Sequence, residues 1–230
     1  MFHSHFVLRD IYNVLMKRLF CFAFLFFSVF AYAGYPEGFQ AFNEGDYETA
    51  FKEYSIEAEN GNSYAQADLG DMYYHGVGVD QDYEKALKWF ELAAKQSHSR
   101  AQYNLGVLHE NGFGTKQDMT KALYWWCLAS GQGHYGADFN LAMAYYNGKG
   151  VPKDLEIAAH KFKKIAIVGI PGAQYRLGLM NLNGDGIPKN LSEAKKWLYQ
   201  AYKNMDPDLA EKAFALLEKN NLLDNTIKLF

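Results

Sequence analysis

The chain has 230 residues, a formal net charge of −3, and an apolar fraction of 49% that includes 17 Tyr and 17 Phe. This composition supports a packed core and excludes a disordered chain, and the acidic balance excludes non-specific binding to nucleic acid. Two cysteines, Cys21 and Cys127, are too few for a disulfide framework or a cysteine-rich zinc site.

Residues Met1 to Leu15 show no clear pattern. Met16-Lys17-Arg18 then precedes the apolar run LFCFAFLFFSVF, Leu19 to Phe30, and Ala31-Tyr32-Ala33 follows directly. A basic start, a short apolar run and an A-x-A end describe a secretory signal peptide over residues 1–33, with the mature chain starting at Gly34. The run is shorter than the roughly 20 residues of a membrane span, so no stable span is expected after cleavage; a retained N-terminal anchor is the competing reading. The position of the basic stretch suggests Met16 as the true start. Cys21 lacks the small preceding residues of a lipid-attachment site. This segment predicts a periplasmic or secreted protein in which Cys127 is the lone thiol.

The rest of the chain repeats. AQADLGDMYYHGVG starts at Ala65, and related stretches start at Ala101, Ala137 and Ala173, each 36 residues after the last. A fixed period of this size marks a stacked array. Ala65, Leu69 and Tyr73 recur every four residues and predict one stripe of a helix. Gly70, Gly106, Ala142 and Gly178 fall on that stripe, where small residues allow close approach of a neighbouring helix. Gly76, Gly112, Gly148 and Gly184 predict the ends of these first helices.

Asp82, Asp118, Asp154 and Asn190 predict N-caps for second helices, and Asn190 with Glu193 resembles a capping box. Within them, Ala86, Trp89, Phe90 and Ala93 form the expected buried stripe. Ala122, Trp125, Trp126 and Ala129 match it, as do Ala194, Trp197, Leu198 and Ala201. Trp89, Trp125 and Trp197 are read as core between helices. Near the C-terminus, Asp206-Pro207 opens a helix with one apolar face (Leu209, Ala213, Leu216, Leu217) and one charged face, as a terminal cap requires.

The pattern LG-x-x-Y-x-x-G-x-GV followed by D-x-x-KA-x-x-WF-x-x-AA, almost complete over residues 69 to 94, resembles the Sel-one-like repeat (SLR) family. The resemblance implies an all-α fold: an α/α solenoid (superhelix) of helix-turn-helix repeats of 36 residues, related to tetratricopeptide repeats. It divides the mature chain into an N-terminal tetratricopeptide-like half-repeat (34–64), four Sel-one-like repeats (65–204), and a C-terminal capping helix and tail (205–230). His109 and Asn181 replace the expected Tyr, and Lys161 and Ile165 replace Trp and Ala in the third repeat. The segment IAIVGIPG, Ile165 to Gly172, replaces its usual polar helix end and leaves the packing there in doubt.

Catalytic and metal chemistry find no support. His75, His98, His109, His134 and His160 form no spaced ligand set, and no G-x-S-x-G, P-loop or dinucleotide fingerprint occurs. No catalytic residue, metal or cofactor is assigned, and the chain is read as a non-enzyme. Some cysteine-rich members of the resembled family are linked to β-lactams, but this chain lacks their paired cysteines and any S-x-x-K set.

The resemblance places first helices along a concave surface. It implies a protein or peptide partner of the cell envelope, bound by Tyr74, Tyr103, Asn111, Phe139, Met143, Tyr146, Asn147, Tyr175, Leu179 and Asn183. Tyr103, Phe139 and Tyr175 have packing in the core as their competing role; Asn111, Asn147 and Asn183 each precede a glycine and have helix capping as theirs. The function expected is an exported protein-binding scaffold. The alternatives are a periplasmic immunity protein that occludes a toxic effector, and a cell-wall or β-lactam-related enzyme.

Overall fold

The computed structural model describes residues 34–203 and 207–223. The expected signal segment, the cap residue Asp206 and residues 224–230 lie outside the described residues. The helices are α1 (Gly34–Glu44), α2 (Tyr47–Glu59), α3 (Ser63–His75), α4 (Tyr83–Lys95), α5 (Ser99–Asn111), α6 (Met119–Gly131), α7 (Tyr135–Asn147), α8 (Leu155–Ile167), α9 (Pro171–Asn183), α10 (Leu191–Lys203) and α11 (Pro207–Lys219). No strand occurs among the described residues. The fold is an all-α solenoid of helix pairs, as the period predicts. It divides into two compact units, one ending at Ala101 and one starting at Gln102.

Each pair is built by the same local rules. The side chains of Asp82, Asp118 and Asp154 accept hydrogen bonds from the backbone N–H of Lys85, Lys121 and Ile157 at 2.9–3.0 Å. Each of these bonds satisfies an N–H that the helix itself cannot. Asn190 does the same for Glu193 at 3.0 Å. The Glu193 carboxylate, however, turns to the Trp197 indole N–H at 2.9 Å, so the reciprocal half of a capping box is not made. Gly76 ends α3 at φ 67°, a left-handed geometry that a side chain would strain, and its N–H donates to the Met72 carbonyl.

The N–H groups of Asp82, Asp118, Asp154 and Asn190 donate to the carbonyls of Tyr73, His109, Tyr145 and Asn181 at 2.8–2.9 Å. Because the carbonyl makes this tie, the backbone there is indifferent to His109 or Asn181 standing in place of Tyr.

In the first unit, a Cβ on Gly70 would lie 2.7 Å from the Phe90 ring. Gly38 and Tyr54 make the same pairing between α1 and α2, with a Cβ on Gly38 falling 2.8 Å from the Tyr54 ring. Here the intervening turn, at Gly45 and Asp46, is shorter than the turn of later repeats.

In the second unit the Trp126 indole lies across Gly106, and Leu198 lies across Gly178. Phe162 holds the matching place in the third repeat, packed with Ala142 and edge-on to Phe139 at 5.6 Å. Ala122, Trp126 and Ala129 are buried, whereas Trp125 is only half-buried. The reading of Trp125 as core is therefore corrected. Steps of four and three from Ala122 reach Trp126 and Ala129, and Trp125 falls on the flank of that stripe. Trp197 is buried, and Trp89 packs partly buried against the first unit's core.

A row of buried polar residues ties repeat to repeat within each unit. Gln66 donates to the Ala58 carbonyl at 3.0 Å and accepts from Gln96 at 2.8 Å. In the second unit Gln132 donates to Gln102 at 2.7 Å, and Gln174 donates to the Ala166 carbonyl at 3.2 Å. The third repeat places Asp138 in this row. Its carboxylate is matched by the Ser130 hydroxyl at 2.6 Å and the Lys164 ammonium at 3.0 Å, which compensates its burial. The segment in doubt resolves simply: Ile165 and Ala166 are buried, α8 ends at Ile167, and Pro171 opens α9.

The two tryptophans of α6 should behave differently. Trp126→Ala is expected to cost about 3–5 kcal/mol, the range for truncating a buried ring, and Trp125→Ala about 1 kcal/mol. Urea denaturation of both variants checks this; equal costs would contradict the burial described.

Candidate functional site

The ten residues expected on the first-helix face fall in both units. Tyr74 lies in the first, half-buried, with its ring edge-on to His75 at 4.8 Å and to Tyr83 at 5.4 Å. The other nine lie in the second.

Tyr103 and Phe139 are half-buried and cover the next first helix. A Cβ on Gly136 would lie 3.1 Å from the Tyr103 ring, and one on Gly172 would lie 3.3 Å from the Phe139 ring. Tyr103 also stacks on His134, with ring centroids 4.5 Å apart. Tyr175 packs against the cluster of Leu198, Ala201, Ala213 and Leu217. These three rings therefore contribute to packing between repeats. Asn111 donates to the carbonyl of Val107 in its own helix at 2.9 Å, and Asn183 donates to Asp185 at 3.3 Å. Both are exposed.

Met143 and Asn147 are brought together. With Asn140 they line a cavity of about 250 Å³, which Glu110, Met119, Trp126 and Lys149 complete. The Lys149 ammonium meets the Glu110 carboxylate at 2.8 Å along this wall. Met143 is half-buried and Asn147 exposed. The Tyr146 ring, one residue away, carries Lys153 at 6.0 Å over its face. Leu179 is half-buried on α9.

The first unit carries a cluster that the sequence reading missed. Arg100 pairs with Asp68 and, at 3.5 Å, with Asp71, so the first-helix face is charged here, one cation being held between two carboxylates. Tyr35 lies 5.9 Å from Tyr54 and 5.9 Å from Tyr64. Burial, then the nearby Asp68 carboxylate, pushes the Tyr35 phenol up to about 12. Arg100 stands 32 residues after Asp68 rather than at the repeat period, and that spacing hid the pair.

Two histidines also act as helix caps. Asn62, His98, His134 and Ile170 hold one place in successive repeats. The Asn62 side chain accepts from the N–H of Tyr64 and Ala65 at 3.0 and 3.3 Å. His98 Nδ1 accepts from Ala101 N–H at 3.3 Å, and His134 Nδ1 accepts from Ala137 N–H at 3.2 Å. Ile170 makes no such bond. An accepting Nδ1 requires a neutral imidazole with its proton on Nε2. Burial, then the Arg100 charge, holds the His98 pKa below its ordinary value of 6.5, against the opposing pull of Asp68.

Among the described residues, no group of His, Cys, Asp and Glu is arranged to hold a metal ion, and no helix is long and apolar enough to cross a membrane. Helix pairs of fixed period, packed through small-residue stripes and presenting mixed apolar and amide side chains, define a repeat scaffold. The Sel1 repeat profile matches residues 63–98, 99–134, 136–166 and 171–204, which is more than half of the chain. The chain belongs to the Sel1 repeat family, whose members generally serve protein interaction.

Among solved structures it is similar to a Sel1 repeat protein from Oxalobacter formigenes, with 36% identity, a TM-score of 0.66, and coverage of 74% of this chain and 49% of that one. It is also similar to c5321, a protective antigen of uropathogenic Escherichia coli strains displaying an SLR fold, with 27% identity, a TM-score of 0.76, and coverage of 84% and 42%. The chain thus spans less than half the length of each. The immunity protein Pa5087 from Pseudomonas aeruginosa shares the fold at 20% identity and a TM-score of 0.50, over 73% of this chain and 66% of that one. No significant match occurs among curated proteins.

The cap chemistry gives stability a pH dependence. Folding lowers the His98 pKa, so the unfolded chain takes up the proton first. The contribution of His98 is therefore complete above about pH 6.5 and is lost as the pH falls below that value. His98→Asn, which copies Asn62, should keep the cap at neutral pH and reduce the loss of melting temperature between about pH 7.5 and pH 5. Thermal melts at the two pH values test this. An unchanged loss in the variant would show that His98 does not contribute to it.

Proposed function

We propose that this chain is an exported, non-enzymatic scaffold that binds an extended segment of a cell-envelope protein along its first-helix face. The observation that carries the reading is the recess beside α7. There Met143, a flexible apolar side chain, and the amides of Asn140 and Asn147 line one wall together with the Glu110–Lys149 pair. Such a surface suits a peptide: methionine adapts to an apolar side chain, the amides can bond a peptide backbone, and the ion pair can exchange partners. Tyr146 and Leu179 extend the apolar surface. Tyr74 on α3 offers a similar ring in the first unit. Export is supported by the apolar run Leu19 to Phe30 and by Ala31-Tyr32-Ala33. Neutralising a toxic effector would be one special case of this activity, told apart by the partner.

Two measurements test the proposal. N-terminal sequencing of protein recovered from the envelope should read Gly34-Tyr35-Pro36; a chain that keeps Leu19 to Phe30 in the membrane would overturn the export step. A Met143→Ala, Asn147→Ala double variant should keep its helical circular dichroism and lose the partner that affinity purification recovers with the parent. A folded variant that retains this partner would remove the recess from the binding face.

A further inference from the structure

A second recess lies between α8 and α10, with Leu177 and Asn181 of α9 also in its lining. Its volume is about 660 Å³, within the range of small-ligand sites. Its origin is legible in the repeat. Phe51, Leu87 and Leu123 hold one place in successive second helices, and the third repeat has Ala159 there. In the preceding repeat Leu123 fills this space: its Cδ1 would come within 3.0 Å of a Cβ on Gly150, in the turn that follows. The corresponding turn around Gly186 is met by Leu155 alone among its nearest atoms. Ala159 does not reach it, and the gap stays open beneath Ile187 and Pro188.

The floor of this gap is apolar: Ala159, Leu177 and the buried Trp197. The Trp197 indole is fixed, because its N–H donates to Glu193 at 2.9 Å and the Lys196 ammonium sits 4.7 Å over its ring. The rim is charged, with Lys163, Lys189 and Lys196 against Glu156 and Glu193. Glu193 is already engaged by Trp197 and by Lys196 at 3.4 Å. Lys163 and Lys189 have no ion-pair partner among the described residues. Glu156 likewise has no ion-pair partner among the described residues, so three lysines against two glutamates leave the mouth of the apolar recess with a surplus of one positive charge. Ile167, exposed to 66%, extends the apolar floor to the surface.

We propose that this recess is a binding site for a small amphiphilic organic anion. Its apolar body lies on Ala159, Leu177 and Trp197, and its acid group is held by the rim lysines. The site shares none of the residues proposed for the first-helix face.

Fluorescence titration tests it with two probes of one skeleton: 8-anilinonaphthalene-1-sulfonate, which is anionic, and N-phenyl-1-naphthylamine, which is uncharged. The parent should bind the anion at least about threefold more tightly at low salt, with the difference vanishing as salt screens the lysines. Ala159→Leu restores the residue of the preceding repeats and so is compatible with the fold. It should weaken the anion by about tenfold or more, because a filled apolar pocket rejects even small groups. Lys163→Gln with Lys189→Gln should bring the anion down to the affinity of the neutral probe. Unchanged anion binding by the Ala159→Leu protein, with circular dichroism intact, would overturn the site. Equal binding of the two probes by the parent would overturn the anion preference.

Discussion

The structure depends on one contact repeated along the chain: a large second-helix side chain laid across a residue with little or no side chain on the first helix. Phe90 lies over Gly70, Trp126 over Gly106 and Leu198 over Gly178, and Phe162 packs with Ala142. The contact brings the two backbones of a pair close, and it explains why glycine is kept inside a helix at a cost of about 1 kcal/mol against alanine. It also fixes the rotation of each helix about its axis. Once Trp126 sits on Gly106, Ala122 and Ala129 must face inward, and Tyr124 and Leu128 must face out. The outward rows then follow without further instruction.

This dependence is why most of the fold was legible in the sequence. The caps at Asp82, Asp118, Asp154 and Asn190 and the glycines at the ends of the first helices are local signals, each decided by a few neighbouring residues. Repetition at 36 residues made weak signals strong. What failed to show were contacts whose partner is not set by the period. Trp125 and Trp126 are adjacent aromatics, and composition alone cannot say which one meets the glycine; the steps from Ala122 decide it. The glycine row was legible, but the buried glutamine row beside it was not, because Gln66 and Gln96 are joined across two helices. Arg100 reaches Asp68 for the same kind of reason.

The candidate site was legible to a lesser degree. The period does place Tyr103, Phe139 and Tyr175 in one row, yet it cannot separate a ring that waits for a partner from one that covers the next repeat. Gly136 and Gly172 supply the difference: they are small where Tyr103 and Phe139 lie on them. Such a pairing lies between neighbouring first helices and is visible only when they are docked. Met143 and Asn147 differ because they line open space. The rows are thus functionally mixed. Tyr103 and Phe139 at the start of their helices serve packing, whereas Asn140, Met143 and Asn147 of α7 border a recess.

The third repeat shows what such an array tolerates. It has lost Trp at Lys161, carries Asp138 in the glutamine row and has Ala159 in a leucine row. Several departures are absorbed where they occur: Asp138 by Ser130 and Lys164, the missing glycine by Ala142 with Phe162, and the polar helix end by Pro171 opening α9 directly. A repeat contacts chiefly its neighbours, so a local departure need not propagate, and the lock between first and second helix survives in every unit. Departures can therefore accumulate in one repeat without loss of fold. The shortened side chain at Ala159 is the departure with no compensating partner, and it is the one that leaves a recess rather than a repaired contact.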